Sequence, residues 1–312
     1  MPANPIRIAV VGVGHLGRHH ARLLANLSGA KLTAAVDLIP ARAQAAAALA
    51  TGAEALTDAR ELVDRVDAVT IAVPTVDHLA VARPFLERGV HVLVEKPMTA
   101  TLAQADELIR VAAASGATLA VGHTERFNPA VSAALEVLDR PRFIEVHRLS
   151  GFPERSLDID VVFDVMIHDL DIIAAVDRTE VVSVDAIGVP VLTDRIDIAN
   201  ARVKFASGCV ANITASRISR DKIRKVRFFQ PDMYVSVDYA EQELDVWRLR
   251  PIPGARPAIE GGPVAVEKDE PLHRELADFI GAIRERRAPR VTGEQGRRAL
   301  ELAARVAEAI KQ

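Results

Sequence analysis

The stretch Ile6-Arg7-Ile8-Ala9-Val10-Val11-Gly12-Val13-Gly14-His15-Leu16-Gly17 decides how the first third of the chain folds. Ile6 to Val11 is short, apolar and rich in β-branched residues, the pattern of a strand buried on both faces. Gly12 to Gly17 reads GxGxxG and opens a helical segment, Leu16 to Leu27. Between strand and helix, those glycines allow a tight turn, close backbone approach to a pyrophosphate and close helix packing, with the helix N-terminus facing the anion. Working outward, further short apolar runs lie at Lys31 to Val36, Ala68 to Val73, Val90 to Val94 and Thr118 to Val121. Amphipathic segments at Pro40 to Ala50, Val76 to Arg88 and Leu102 to Ala114 separate them. Strand and helix in alternation predict an α/β fold, a doubly wound parallel sheet of Rossmann type, over residues 1–122.

Beyond Gly122 the rhythm changes. Helices at Pro129 to Leu138 and about Val161 to Val176 precede strand-like runs at Val181 to Val189, Ile198 to Phe205, Cys209 to Ala215, Val226 to Phe229, Val235 to Tyr239 and Leu244 to Leu249. Strands in succession predict an α+β domain over 123–312 with a mainly antiparallel open sheet. Pro251 to Pro271, rich in proline and glycine, reads as a loop; helices at Leu272 to Arg286 and Glu294 to Ile310 follow and are able to pack back on the first domain.

The chain has 312 residues, room for two domains, and 39 Lys and Arg against 42 Asp and Glu. Without a basic excess, nucleic acid and anionic membranes are not expected partners. No apolar run reaches the roughly 18 residues of a membrane span, and Met1 to Arg7 enters a strand without a signal-peptide pattern. The lone Cys209 admits neither an internal disulfide nor a cysteine-rich zinc site. A cytoplasmic protein without bound metal is the expectation.

Several strand ends carry chemistry. Asp37 stands at the end of the second strand, where a carboxylate accepts hydrogen bonds from a ribose diol and repels a 2'-phosphate, so NAD is favoured over NADP. Val73-Pro74-Thr75 and His78 lie at another carboxyl edge, where open parallel sheets bind ligands; Thr75 can equally cap the following helix and His78 sit exposed in its first turn. Glu95-Lys96-Pro97 ends the next strand, and a lysine there can donate to a substrate hydroxyl. On a helix, Asp164 and His168 share a face, with Asp171 three residues on; an imidazole oriented by a carboxylate suits proton transfer near neutral pH. Arg217, Arg220, Lys222, Arg224, Lys225 and Arg227 form a local cationic run able to meet a diphosphate, or to serve as a solvated loop or a subunit interface.

Together these residues resemble the glucose-fructose oxidoreductase, inositol dehydrogenase and rhizopine-catabolism family of sugar oxidoreductases. Gly12 to Gly17, Glu95-Lys96-Pro97, Val121-Gly122-His123-Thr124-Glu125-Arg126-Phe127-Asn128-Pro129 and Asp164-x3-His168 occur in the family's order, and the resemblance spans essentially the whole chain. It implies that Lys96 anchors the reacting hydroxyl, His168 is the acid/base and Asp164 positions substrate and orients the histidine. It further implies a cofactor set of Gly12, Val13, Gly14, His15, Leu16, Gly17, Asp37, Val73, Pro74, Thr75, His78, Glu95 and Lys96. The implied substrate set is Lys96, Arg126, Asn128, Asp164 and His168. The family often has glycine near this Asp, whereas here Ile159-Asp160-Val161-Val162-Phe163 precedes it and Met166 follows, which implies a different pocket shape.

Arg142 to Arg148, Val189 to Arg195 and Phe205 to Asn212 most resemble a bacterial branch of the family. That branch oxidises C3 of a UDP-linked N-acetylhexosamine with NAD, for a lipid A amino sugar. The expected partners are that small-molecule substrate and further copies of the chain, a dimer or tetramer formed through the open sheet. A free polyol, aldose or other carbonyl substrate keeps the same hydride chemistry. A non-catalytic dinucleotide-sensing regulator is the reading from another class, and retention of Lys96, Asp164 and His168 argues against it.

Overall fold

A computed structural model describes residues 4–152 and 159–310. Contacts divide the chain into two compact units, one of residues 1–124 and 270–297, the other of 125–269 and 298–312.

The first unit begins β1 (Ile6–Val11), α1 (Gly17–Leu24), β2 (Ala30–Val36), α2 (Pro40–Ala47), β3 (Glu54–Leu56), β4 (Ala68–Ile71), α3 (His78–Glu87), β5 (His91–Glu95), α4 (Leu102–Ser115) and β6 (Leu119–Gly122). Its six strands lie in the order β3-β2-β1-β4-β5-β6. Every pairing is parallel. The order reverses between β1 and β4, and in such sheets ligands bind beyond the strands' carboxyl ends at that reversal. Both faces of the central strands are covered: Ile8, Ala9, Val10, Val69, Val92 and Val94 are fully buried, each large one contributing about 1.5–3 kcal/mol. The short edge strand β3, its residues largely exposed, has no counterpart in the sequence reading.

The second unit contributes α5 (Pro129–Val137), β7 (Phe143–Leu149), α6 (Ile167–Val176), β8 (Val181–Val189), β9 (Ile198–Phe205), β10 (Val210–Ser216), β11 (Ile223–Gln230), β12 (Met233–Asp238), β13 (Glu243–Arg250) and β14 (Ala258–Val264). These eight strands form one sheet, ordered β14-β13-β12-β11-β7-β10-β9-β8. Only the β7–β10 pair is parallel. Side chains alternate along it: Ile144, Val146, Ala201, Val203, Ile213, Val226 and Phe228 face a core shared with Ile167, Leu170 and Ile173 of α6. On the other face Phe143, Phe229, Tyr234 and Trp247 form a row across four strands.

The proline-rich stretch expected as a loop contains β14, which corrects that reading. Gly261 explains how, since at φ +137 a Cβ there would come 2.0 Å from the Val246 carbonyl oxygen, while an edge strand tolerates Pro263. The chain ends with α7 (Pro271–Glu285) and α8 (Gly293–Ile310). Leu276, Phe279 and Ile280 of α7 are buried in the first unit with Ile8, Val10 and Leu24. Among the described residues no helix is long and apolar enough to cross a membrane, and no cluster of His, Cys, Asp or Glu could hold a metal ion.

Candidate active site

The glycine turn is shaped by contacts that exclude side chains. Gly12 adopts φ +82, and a Cβ there would meet the Ala72 carbonyl at 2.8 Å; one on Gly17 would come 1.7 Å from the Gly12 carbonyl oxygen. Gly14 is different, because among the described residues nothing lies within 4 Å of where its Cβ would be. The first turn of α1 carries neither a side-chain cap nor an acidic residue, so its N–H groups suit an anion. Asp37 is tied into the turn: its Oδ2 accepts from Val13 N–H at 3.0 Å and its Oδ1 from Ile39 N–H at 2.9 Å. A cavity of about 420 Å³ beside it is lined by Val13, Gly14, His15, Arg18, Arg42 and Leu49. His15 and Leu16 are exposed, and the His15 ring stands edge-on to His19. A glycine turn with space at Gly14, an uncapped helix and a strand-end carboxylate fit a dinucleotide.

Val73 and Pro74 follow β4, and Thr75 heads a short 3-10 turn whose preceding Pro74 offers no side-chain cap. His78, left open as an exposed first-turn residue, is instead 1 % exposed. Its Nδ1 faces the carbonyls of Pro97 and Met98 at 3.0 and 3.2 Å, and its Nε2 faces that of Val73 at 3.0 Å. Burial lowers the His78 pKa below the usual imidazole value, the carbonyls opposing it. Lys96 follows β5 half-buried, and Glu95 before it is buried.

His20 belongs to none of the motifs visible in the sequence. On α1 it shares the buried face with Gly17, Ala21 and Leu24, and its Nε2 lies 3.0 Å from Glu95 Oε1. A histidine on an apolar helical stripe, just behind a GxGxxG, was the available signal.

In the second unit Asp164 and His168 are both half-buried, and the first turn of their helix departs from the expected α-geometry. Val162–Met166 is a π-helical turn in which Ile167 N–H donates to Val162 O, five residues back. Such turns insert one residue and concentrate at functional sites. Asp164 therefore stands on the wide turn and His168 on the regular helix after it. Ahead of this turn, the Asp160 carbonyl accepts from Asp164 N–H and its Oδ1 from Ile196 N–H, both at 3.1 Å.

Two buried ion pairs hold α6. Arg148, at an inward position of β7, grips Asp169 with two bonds of 2.6 and 3.0 Å and reaches Glu125 at 3.0 Å. The ring of Tyr239 lies 4.7 Å from its guanidinium. Asp169 is the residue next to His168, so this clamp fixes the backbone that carries the imidazole. Arg126, expected to touch substrate, is 5 % exposed and pairs with Asp171 at 3.3 Å. Asn128 has both ends of its amide engaged, its oxygen capping α5 at Ala130 N–H and its nitrogen donating to Tyr239 O at 3.0 Å.

The cationic run is not uniformly available. Arg217 is 1 % exposed and bound to Asp197 at 2.9 Å. Lys225 pairs with Asp238 and Arg227 with Glu145. Arg220, Lys222 and Arg224 are exposed.

Residues 6–123 match the profile of a family described as oxidoreductase family, NAD-binding Rossmann fold. The UDP-N-acetylglucosamine 3-dehydrogenase of Acidithiobacillus ferrooxidans is 40% identical over 310 residues, 98% of this chain and 97% of that protein. A solved structure of that enzyme superposes with a TM-score of 0.91, covering 99% of each chain. Inositol 2-dehydrogenase of Rhizobium meliloti is 29% identical over 68% of this chain and 69% of its own length. The scyllo-inositol dehydrogenase of Lactobacillus casei, solved with NAD(H) and scyllo-inositol, shares the fold at a TM-score of 0.79 and 21% identity, covering 99% of this chain and 97% of its own. The chain belongs to the glucose-fructose oxidoreductase, inositol dehydrogenase and rhizopine-catabolism family of NAD-binding oxidoreductases.

Proposed function

We propose that the chain oxidises the C3 hydroxyl of a UDP-linked N-acetylhexosamine to the 3-keto sugar. The carrying observation is 40% identity across 98% of the chain to a UDP-N-acetylglucosamine 3-dehydrogenase, in a chain that carries Lys96, Asp164 and His168. NAD, held by the glycine turn and Asp37, supplies the hydride acceptor. Lys96 donates a hydrogen bond to the reacting hydroxyl and favours its ionised form. His168 takes the hydroxyl proton as general base. Asp164 orients that imidazole and supports its cationic form. Exposed Arg220, Lys222 and Arg224 are the members of the cationic run suited to a diphosphate. Binding energy from that remote group holds the sugar for reaction, so a free sugar loses turnover as well as affinity.

The 3-keto product suits a later amination, as in an amino-sugar lipid A pathway in the cytoplasm. The aromatic row Phe143, Phe229, Tyr234 and Trp247, with Trp247 41% exposed, supports self-association through the open sheet.

The test follows absorbance of the reduced cofactor with UDP-N-acetylglucosamine, free N-acetylglucosamine and myo-inositol. Turnover confined to the nucleotide sugar, and reduced about 10²- to 10⁴-fold by His168→Ala, is the expected result. Turnover of inositol or the free sugar with none of the nucleotide sugar overturns the substrate. A His168→Ala variant with normal turnover overturns the proton-transfer role.

A further inference from the structure

We propose that His20, acting through Glu95, is a positioning residue for Lys96, which makes the helix behind the glycine turn part of the catalytic apparatus. The proposal rests on the reading of Lys96 as the hydroxyl anchor.

The geometry lies within the first unit. Glu95 is the last residue of β5, 5 % exposed, and a buried carboxylate is costly unless donors satisfy it. Two donors do so. His20 Nε2 lies 3.0 Å from Oε1, and Lys96 N–H donates to Oε2 at 3.3 Å. Burial alone would raise the Glu95 pKa; His20 and Lys96 outweigh it and hold the carboxyl below its usual value. The carboxylate oxygens therefore accept and the imidazole Nε2 donates.

The neighbouring strand makes room for this pair. Glu95 is opposite Gly122 of β6, and a Cβ at Gly122 would press to 3.0 Å from the Glu95 carboxyl carbon. The far side of the turn is held as well, since His78 faces the carbonyls of Pro97 and Met98. Two buried histidines, one from α1 and one from α3, thus grip the segment on either side of Lys96. Among the described residues His20 Nδ1 is buried with no hydrogen-bond partner, so there the ring's bond is the one to Glu95. A residue placed for core packing alone would gain by being apolar.

If this chain of contacts sets where the Lys96 ammonium stands, loosening it lowers turnover more than it weakens NAD. The test compares His20→Phe, which keeps an aromatic ring and deletes the donor, with His20→Gln, whose amide restores one. Gly122→Ala crowds Glu95 while keeping the His20 side chain itself, and Lys96→Ala is the reference. The expected result is kcat at saturating substrate reduced by about 10²-fold in His20→Phe, the order of loss that follows a misplacement of about 1 Å. NAD affinity, read by titration, should change less than about threefold, and His20→Gln should recover most of the turnover. Gly122→Ala should lower kcat in the same direction, and it carries the test should His20→Phe not fold.

An active Lys96→Ala variant refutes the reading of Lys96 itself. An inactive Lys96→Ala beside folded His20→Phe or Gly122→Ala enzymes whose kcat stays within about twofold of the parent overturns the role of His20 alone. Equal damage in His20→Gln and His20→Phe also overturns it, because that marks a packing defect rather than a lost donor.

Discussion

Replacing Asp197 by Asn should cost the second unit about 3–5 kcal/mol, although the two side chains have nearly the same shape. The Asp197 side chain is fully buried. Its Oδ2 accepts from the N–H groups of Val191, Leu192 and Thr193 at 2.8, 2.7 and 2.9 Å. Its Oδ1 accepts from the Thr193 hydroxyl at 2.8 Å and Arg217 Nε at 2.9 Å. An asparagine can present its oxygen to only one group of donors and must turn an N–H₂ on the other. Each buried donor left without an acceptor costs about 1–3 kcal/mol, and removing one partner of a buried ion pair about 3–5 kcal/mol. These penalties describe the same groups and overlap, so the larger bounds the expectation. Urea unfolding followed through Trp247, the only tryptophan and part of the same sheet, reads the loss as a lower midpoint.

The pH dependence has a fixed sign. Burial alone would raise Asp197, but the N–H groups of Leu192, Val191 and Thr193 outweigh it and hold the carboxyl well below its usual range. A depressed folded pKa contributes stability that is complete above the unfolded value of about 3.9 and is lost as pH falls toward the folded one. The gap between parent and Asp197→Asn should therefore be constant near neutrality and narrow below about pH 4. A variant within about 0.5 kcal/mol of the parent at pH 7 would refute the reasoning, because Arg217 and the N–H groups of Val191, Leu192 and Thr193 would then not depend on the Asp197 charge.

Two further substitutions separate folding from cofactor binding. Gly17→Ala should lower thermal stability outright, since its Cβ meets the Gly12 carbonyl oxygen at 1.7 Å, whereas Gly14→Ala has no neighbour within 4 Å and should keep the melting temperature while weakening NAD, read by calorimetry. Asp37→Ser with Leu38→Arg, the latter position 89% exposed, should move preference toward NADP; unchanged selectivity in a folded double variant would deny Asp37 its role at the ribose.

What the sequence showed depended on whether one element could form its pattern alone. β1 with its glycine turn did, because strand, turn and helix are contiguous and each has its own composition. β14 did not, since glycine and proline describe a loop until a neighbouring strand demands them. β7 escaped for a related reason: Ile144, Glu145, Val146 and His147 alternate as a strand should, but Arg148 puts a cation at the next inward position, and it is buried only because Asp169 waits opposite. The same holds at the site. Lys96, Asp164 and His168 sit in local motifs, but the π-helical turn under Asp164 leaves no compositional trace. Arg217 looked like a surface cation because its partner Asp197 is twenty residues away along the chain and adjacent only in the fold.

The first unit is discontinuous, and this bears on how the chain emerges during synthesis. When residues 1–124 have left the ribosome, all six strands of the parallel sheet exist, yet Leu276, Phe279 and Ile280, which complete its core, do not. Nor does Gly296, which lies so close to β6 that a Cβ there would fall 2.5 Å from the Val121 side chain. The whole of residues 125–269 must be made before the missing pieces arrive. Until then apolar surface on the nascent sheet stays open to solvent and to chaperones. A fragment cut near residue 124 lacks those core residues permanently, and grafting α7 and the start of α8 back onto it would restore them.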